Sequence, residues 1–119
     1  MEQPGKREPA AAVLKAYDLV LWILPKVERF PRSYRHSVGD RMVGASLDLL
    51  LLLVQSSYTT DKARLLEGAS LQANTLRYLL RVAKDLRLLT VDSYGFANAN
   101  VEEVGRMVGG WQKSVAKRT

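Results

Sequence analysis

The sequence contains no cysteine and a single histidine. Without cysteine there can be neither a disulfide framework nor a thiolate metal site, and a cysteine-free composition suits a reducing compartment. We therefore expect a cytoplasmic protein that binds no cofactor.

Long apolar runs are also missing. The longest one covers residues 49–54, whereas a helix needs about 20 apolar residues to cross a bilayer. We predict no transmembrane helix and no membrane partner.

Proline is scarce, with four residues in 119, while 47% of the residues are hydrophobic and 25% are charged. This composition can bury a core, and the length is typical of one domain. Residues 1–9 are charged and lack the apolar stretch of a secretory signal, so we expect a flexible N-terminal leader there. The folded domain is predicted over residues 10–116, followed by a frayed tail at residues 117–119.

Apolar residues recur at alternating spacings of three and four, the period of an amphipathic helix. The predicted helices run from about Ala10 to Arg29, from Tyr34 to Ser57, from a cap at Thr59 or Thr60 to about Leu88, and from the turn-rich residues 91–100 to about Val115. Pro25 should kink the first helix or end it early, and Ser33 or Ser37 could cap the second. The predicted core positions are Val13, Tyr17, Val20, Leu24, Val27, Val38, Met42, Ala45, Leu49, Leu52, Leu66, Ala69, Ala73, Leu76, Leu80, Ala83, Ala97, Val101, Val104, Val108, Trp111 and Val115.

Short connections between long amphipathic helices make neighbours antiparallel. With no strand pattern in the sequence, we predict an all-α fold: an antiparallel up-and-down four-helix bundle.

The second predicted helix is apolar on nearly every side over residues 47–54, more than one bundle core requires. The fourth contains glycines, which cost about 1 kcal/mol each in a helix interior and suggest a close backbone approach. Both features favour contacts between subunits of an oligomer. The predicted interface residues are Leu50, Leu51, Leu53, Gly105, Gly109 and Trp111.

No constellation for catalysis is present, and we predict that the protein is not an enzyme. His36 has no cysteine or second histidine to complete a metal site or a nucleophilic relay. Glu102 and Glu103 are adjacent and point about 100° apart on a helix, so they cannot form a catalytic carboxylate pair. Their negative charges suit the first turn of a helix instead. The glycines of residues 105–110 lie inside a helical pattern, not between a strand and a helix as a phosphate loop would.

The chain carries 18 Lys and Arg against 12 Asp and Glu, a net charge of +6, which favours polyanionic partners. Two groups of cations stand out. Those on the third predicted helix are Arg77, Arg81, Lys84 and Arg87, and those around the first turn are Lys26, Arg29, Arg32, Arg35 and Arg41. In an antiparallel bundle both groups lie at the same end and together could bind nucleic acid. Tyr34 and Tyr78 could stack on bases there or pack in the core.

Three stretches resemble the accessory variability determinant proteins of diversity-generating retroelements: Phe30-Pro31-Arg32-Ser33 leading into Gly39-Asp40-Arg41, then Leu76-Arg77-Tyr78-Leu79-Leu80-Arg81, and Glu103-Val104-Gly105-Arg106-Met107-Val108-Gly109-Gly110-Trp111. The last of these is the most specific. The resemblance extends from about Tyr17 to Lys113.

The resemblance implies a four-helix subunit in a homopentameric barrel. Such a protein is non-catalytic and associates with the reverse transcriptase of the element and with RNA or DNA, supporting mutagenic copying of template RNA into cDNA. Arg77 and Arg81 match family arginines that we assign to partner or nucleic-acid contact. The family is also similar to bundle proteins encoded in ribosomal RNA intervening sequences. A structural or RNA-binding bundle without a polymerase partner is therefore the alternative.

Overall fold

The computed structural model describes residues 4–117, with side chains from Ala10 onward. This part of the chain forms four long helices and no strand. They are α1 (Pro4–Glu28), α2 (residues 32–57), α3 (Ala63–Asp85) and α4 (Val91–Ala116). The predicted all-helical fold is confirmed.

Helix α2 is continuous but not uniform. It opens with an α-helical turn (Arg32–Tyr34), passes through a π-helical segment (Arg35–Gly39) and continues as a regular α-helix (Asp40–Ser57). The hydroxyl of Ser37 donates to the carbonyl oxygens of Ser33 and Tyr34. Neither predicted N-cap serine caps the helix. The N-cap position is Pro31, which places Ser33 inside the first turn, and Ser37 bonds backward to carbonyls within the helix.

Helix α1 is longer than predicted. It begins at Pro4 rather than near Ala10, and it continues past Pro25 to Glu28, so the proline does not end it early. The predicted leader and tail fall partly on residues 1–3 and 118–119, which lie outside the described residues.

The predicted cap of α3 is wrong. The helix begins at Ala63, and the Thr59 hydroxyl instead accepts a hydrogen bond from the backbone N–H of Asp61 in the preceding loop. The ammonium of Lys62 donates to the carbonyl oxygens of Ser56 and Thr59, both at 2.7 Å. These charge-assisted bonds satisfy a carbonyl that the end of α2 leaves free.

Helix α4 begins earlier than its apolar stripe suggested. Thr90 is the N-cap, and its hydroxyl accepts a hydrogen bond from the backbone N–H of Ser93 at 3.0 Å. Asp92 is the acidic residue of the first turn, so Glu102 and Glu103 lie in the helix interior and not in its first turn as predicted.

The predicted core of α3 is confirmed in full, and that of α4 at every position except Val115, which is half-buried. On α2 the buried set includes Met42, Ala45 and Leu49, while Val38 and Leu52 are half-buried.

The predicted stripe of α1 is confirmed only in part. Val20 and Val27 are buried and Val13 is half-buried, whereas Tyr17 and Leu24 are exposed. The other buried residues of α1 are Ala12, Ala16, Leu19 and Ile23. Ala12, Ala16, Leu19 and Ile23 lie three or four residues apart and therefore share the helix face that packs into the core.

Among the described residues, each helix packs against two others, in the order α1–α2–α3–α4–α1, with no contact across the diagonals. Three side-chain contacts show which ends of the helices lie near one another. Trp22 of α1 packs on Phe96 of α4, with ring centroids 5.8 Å apart. Lys84, near the end of α3, lies over the ring of Tyr94 near the start of α4. Lys62, beside the start of α3, lies over the ring of Trp111 near the end of α4. In the described part of the chain, no helix is both long and apolar enough to span a membrane.

Candidate nucleic-acid interface

Arg77 and Arg81 occupy successive turns on an exposed face of α3. Neither guanidinium forms an ion pair with a described carboxylate, and the polar contact of Arg77 is a 3.4 Å hydrogen bond to the Asn74 side chain. Residues one turn apart on a helix are about 5–6 Å apart at Cβ. The two positive charges are therefore close together and available to an anion from solvent.

Lys84 continues this row but is already engaged. Its side chain is half-buried, lies 3.7 Å from the Asp85 carboxylate and sits 4.8 Å from the ring centroid of Tyr94. A cation held by a carboxylate and an aromatic face has less to gain from a further anion. Lys84 therefore contributes less free positive charge than its position predicted.

Arg87 lies just beyond α3 in the left-handed backbone region, with φ of 61°. The N–H of Leu88 donates to the carbonyl of Ala83, and the N–H of Arg87 to that of Lys84. This is a Schellman motif with arginine at the position where glycine is usual. The motif ends the helix and leaves the Arg87 side chain exposed.

The cations of the first turn are not equivalent. Arg29, Arg32 and Arg41 are exposed and form no ion pair with a described carboxylate. Arg35 is half-buried, its Nη2 donates to the carbonyl of Phe30 at 3.4 Å, and its Nε is buried without a hydrogen-bond partner. Arg35 therefore helps to hold the turn, and the nearby Lys26 ammonium lies over the Trp22 ring at 5.2 Å.

The π-helical segment brings this turn to the rest of the bundle. Gly39 is buried against Val27 and Phe30 of the preceding turn, and residues of α3 contact the π segment directly. The turn that carries Arg29 and Arg32 is thus joined through this segment to the helix that carries Arg77 and Arg81.

The two tyrosines within these clusters face solvent. Tyr78 is 62% exposed and Tyr34 is 37% exposed. The core-packing alternative is therefore wrong for both, and their rings are accessible.

The residues predicted for subunit contact divide into two groups. Leu53 is fully buried and Trp111 nearly so, both within the core of the single chain, so their side chains are not available to a second subunit. Leu50 is half-buried and Leu51 is exposed. At Gly105 and Gly109 a Cβ would have no heavy atom within 4 Å, so the close backbone approach predicted there is not made inside the subunit.

Sequence reasoning missed a groove between α3 and α4 with a volume of about 1030 Å³. Its charged lining residues are Arg64, Glu67, Arg77, Glu102 and Arg106. Arg106 forms an ion pair with Glu103, while Arg64 has no such pair with a described carboxylate. No spacing along the chain could reveal this groove, because it is formed by residues of two helices.

The described residues contain no group of three or more His, Asp or Glu side chains placed to hold a metal ion. His36 is exposed, and its Nδ1 lies 3.8 Å from an Asp40 carboxylate oxygen.

Neither the curated proteins nor the solved structures contain a match to this sequence. The family model described as bAvd-like matches residues 12–115. The match covers most of the chain and confirms the resemblance to accessory variability determinant proteins, so this chain belongs to the bAvd-like family.

Proposed function

We propose that this protein is a non-catalytic accessory subunit of a diversity-generating retroelement, acting in the cytoplasm, which binds template RNA or cDNA and the reverse transcriptase of the element during mutagenic copying. Family membership supports the accessory role. The observation that carries the binding role is the row of exposed guanidinium groups on α3, Arg77 and Arg81, neither of which is neutralised by a described carboxylate.

The proposed mechanism is electrostatic capture of the nucleic-acid backbone. Free arginines neutralise phosphates and release the counterions condensed on the strand. Arg29, Arg32, Arg41 and Arg87 extend this surface, with smaller roles for Lys84 and Arg35, which are engaged within the subunit. Contacts of this kind position a strand without reading its sequence, which suits a protein that assists copying of any template.

We further propose an antiparallel up-and-down bundle that assembles into a cyclic homo-oligomer, a pentamer in the family pattern. The contacts of Lys84 with Tyr94 and of Lys62 with Trp111 support opposite directions for α3 and α4, because each joins the end of one helix to the start of the other. The exposed Leu51 and the open glycines of α4 support subunit contacts.

The binding role is tested by reversing the charges of the row. Arg77→Glu/Arg81→Glu should weaken binding to a structured RNA by at least tenfold at moderate salt, measured by fluorescence anisotropy. The matched control is Lys113→Glu/Lys117→Glu, which changes net charge equally near the end of α4, where both lysines are exposed. Equal losses in both variants would show that only net charge matters and would contradict the assignment.

The polymerase partner is tested separately. If a reverse transcriptase gene lies beside this one, its product should co-purify with the wild-type protein. RNA binding without any association with that enzyme would favour the alternative, a bundle of the ribosomal intervening-sequence type.

A further inference from the structure

Tyr78 presents its aromatic ring to solvent in the middle of the arginine row of α3. Its side chain is 62% exposed, and among the described residues its ring takes part in no aromatic or cation–π contact. The rings of Trp22 and Tyr94, by contrast, pack against neighbours within the subunit. The Tyr78 ring is therefore open to a partner from solvent.

Tyr78 belongs to a group of exposed residues on one face of α3, which we name the α3 strip. With about 100° of rotation per residue, the members lie within about 120° of one another and along about 15 Å of helix. They are Leu71, Asn74, Arg77, Tyr78 and Arg81, all exposed. The strip thus combines apolar, polar and positively charged groups on one continuous surface.

The chemistry of the strip exceeds what a phosphate backbone alone requires. Leu71 and Tyr78 are seven residues apart and so lie almost in line along the helix. Arg77 and Arg81 stand beside that line without an ion pair to a described carboxylate. Proteins that hold single strands combine cations along the backbone with aromatic side chains on which bases stack. A double helix keeps its base faces inside its own stack, so it could use the two arginines but not the ring.

Acidic residues mark the two ends of the strip. Glu67 lies one turn before Leu71, and Asp85 lies one turn after Arg81, both exposed on the same face of the helix. Asp85 is 3.7 Å from the Lys84 ammonium, whereas Glu67 forms no ion pair with a described cation. A phosphate near either carboxylate is repelled. Favourable contact with a nucleic-acid backbone is thereby confined to the strip.

The groove between α3 and α4 gives the strip a recessed flank. Leu71, Asn74 and Arg77 of the strip also line this groove, whose volume is about 1030 Å³. Pockets that hold small organic ligands have volumes of roughly 300–1,000 Å³. A base that is splayed out from its strand can enter a recess of this size, whereas a base held in a double helix cannot.

We infer that the α3 strip binds an unpaired segment of nucleic acid, with a base stacked on Tyr78 and the adjoining phosphates on Arg77 and Arg81. The inference rests on the nucleic-acid binding of the proposed function and adds the state of the strand that is bound. Stacking accepts every base, because each base has an aromatic face. The strip therefore selects single strands over duplexes without selecting a sequence.

This selection has a consequence for the copying reaction. Template RNA that has not yet been copied, and cDNA that has left its template, both contain unpaired bases. The paired product of RNA and cDNA does not. The strip is thus suited to strands that enter or leave the copying step and not to the hybrid that the step forms.

The test compares two labelled probes by fluorescence anisotropy at the same salt concentration: an unstructured oligouridine strand and a blunt-ended RNA duplex. Tyr78→Ala should weaken binding of the strand by at least about fivefold, the lower end of the loss on removing a stacking aromatic residue, and leave duplex affinity unchanged. Tyr78→Trp should bind the strand at least as tightly as the wild type, because it keeps an aromatic face.

Tyr58→Ala is the matched control. Tyr58 is 87% exposed and lies just after the last residue of α2, outside the strip. Its replacement should change binding of neither probe. Because both tyrosines are exposed, both variants should keep the helical circular dichroism spectrum of the wild type.

Photocrosslinking locates the stacked base directly. Tyr78 follows Arg77, and Arg81 follows three residues later, so trypsin releases residues 78–81 as a peptide whose single aromatic residue is Tyr78. An oligouridine strand that contains 5-iodouridine is irradiated in complex with the wild-type protein. After nuclease and trypsin digestion, mass spectrometry should find the crosslinked nucleotide on this peptide.

Each contrary outcome has a separate meaning. If Tyr78→Ala binds both probes as the wild type does, or weakens both equally, the inference is overturned while nucleic-acid binding stands. A crosslink found only on other peptides overturns the position of the base. A wild-type protein that binds neither probe contradicts the proposed function itself.

Discussion

Gly39 of α2 lies so close to Val27 of α1 that a Cβ on the glycine would stand 2.8 Å from Cγ1 of the valine and 3.2 Å from the carbonyl oxygen of Tyr34. Val27 is buried and β-branched, so it has little freedom to move aside. The π-helical segment of α2 ends at this contact, which fixes the turn bearing Arg29 and Arg32 against α1.

Gly39→Ala should therefore destabilise the fold by about 1–2 kcal/mol, because overpacking outweighs the gain in helix propensity. Urea denaturation followed by circular dichroism measures the change. Gly44→Ala is the matched control on the same helix, since a Cβ there meets nothing within 4 Å, and it should stabilise by up to about 1 kcal/mol. A neutral or stabilising Gly39→Ala would contradict the close packing.

Arg87 is a non-glycine residue with a positive φ, which favours glycine. Arg87→Gly should raise the free energy of unfolding by roughly 0.5–1 kcal/mol and at the same time weaken nucleic-acid binding. A variant that is more stable but binds nucleic acid more weakly would show that the charge of Arg87 serves binding at a cost in stability.

The control for this prediction is Arg77→Gly, which removes one positive charge from the interior of α3. It should weaken binding and also destabilise the fold by about 1 kcal/mol. If Arg87→Gly left binding unchanged, Arg87 would be excluded from the interface.

Thr90 caps α4 through its hydroxyl. Thr90→Ala should lower the free energy of unfolding by about 1 kcal/mol, as thermal or urea unfolding can measure. Thr59→Ala should cost less than about 0.5 kcal/mol, because the Thr59 hydroxyl bonds to a loop N–H and not to the first turn of α3. Equal costs would contradict the difference between the two sites.

The salt dependence of the RNA-binding constant reports how many phosphates the protein neutralises. Replacing Arg81 by Gln should reduce the slope of log Kobs against log[salt] by about 0.7–0.9 if this guanidinium neutralises one phosphate. Lys117→Gln removes an exposed charge beyond the end of α4 and should leave the slope unchanged. Anisotropy titrations at several salt concentrations give both slopes, and equal slopes for Arg81→Gln and wild type would place Arg81 outside the contact.

Periodicity predicted α3 and α4 well because each has one dominant apolar face. Every predicted core position of α3, from Leu66 to Ala83, is buried. On α1 two apolar faces compete, one with Ala12 and Ala16 and another with Tyr17 and Leu24. The predicted stripe included Tyr17 and Leu24, but packing against the neighbouring helices buries the face with Ala12 and Ala16, which also contains Leu19 and Ile23.

The candidate site was also predictable in part. The exposure of Arg77 and Arg81 follows from the amphipathic phase of α3, which the sequence specifies. The engagement of Arg35 with Phe30, and of Lys84 with Tyr94, could not be predicted, because each depends on how the chain turns or on which residue of another helix lies opposite.

The amino-acid sequence by itself determined the four helices, the buried faces of α3 and α4, the excess of positive charge and the absence of thiol chemistry. These properties follow from local periodicity and composition, which do not depend on distant contacts. Only the tertiary structure decided which face of α1 is buried, which cations remain free, and where the groove between α3 and α4 lies. Those features arise where side chains from separate helices meet, and packing of their shapes, not their spacing in the chain, sets the outcome.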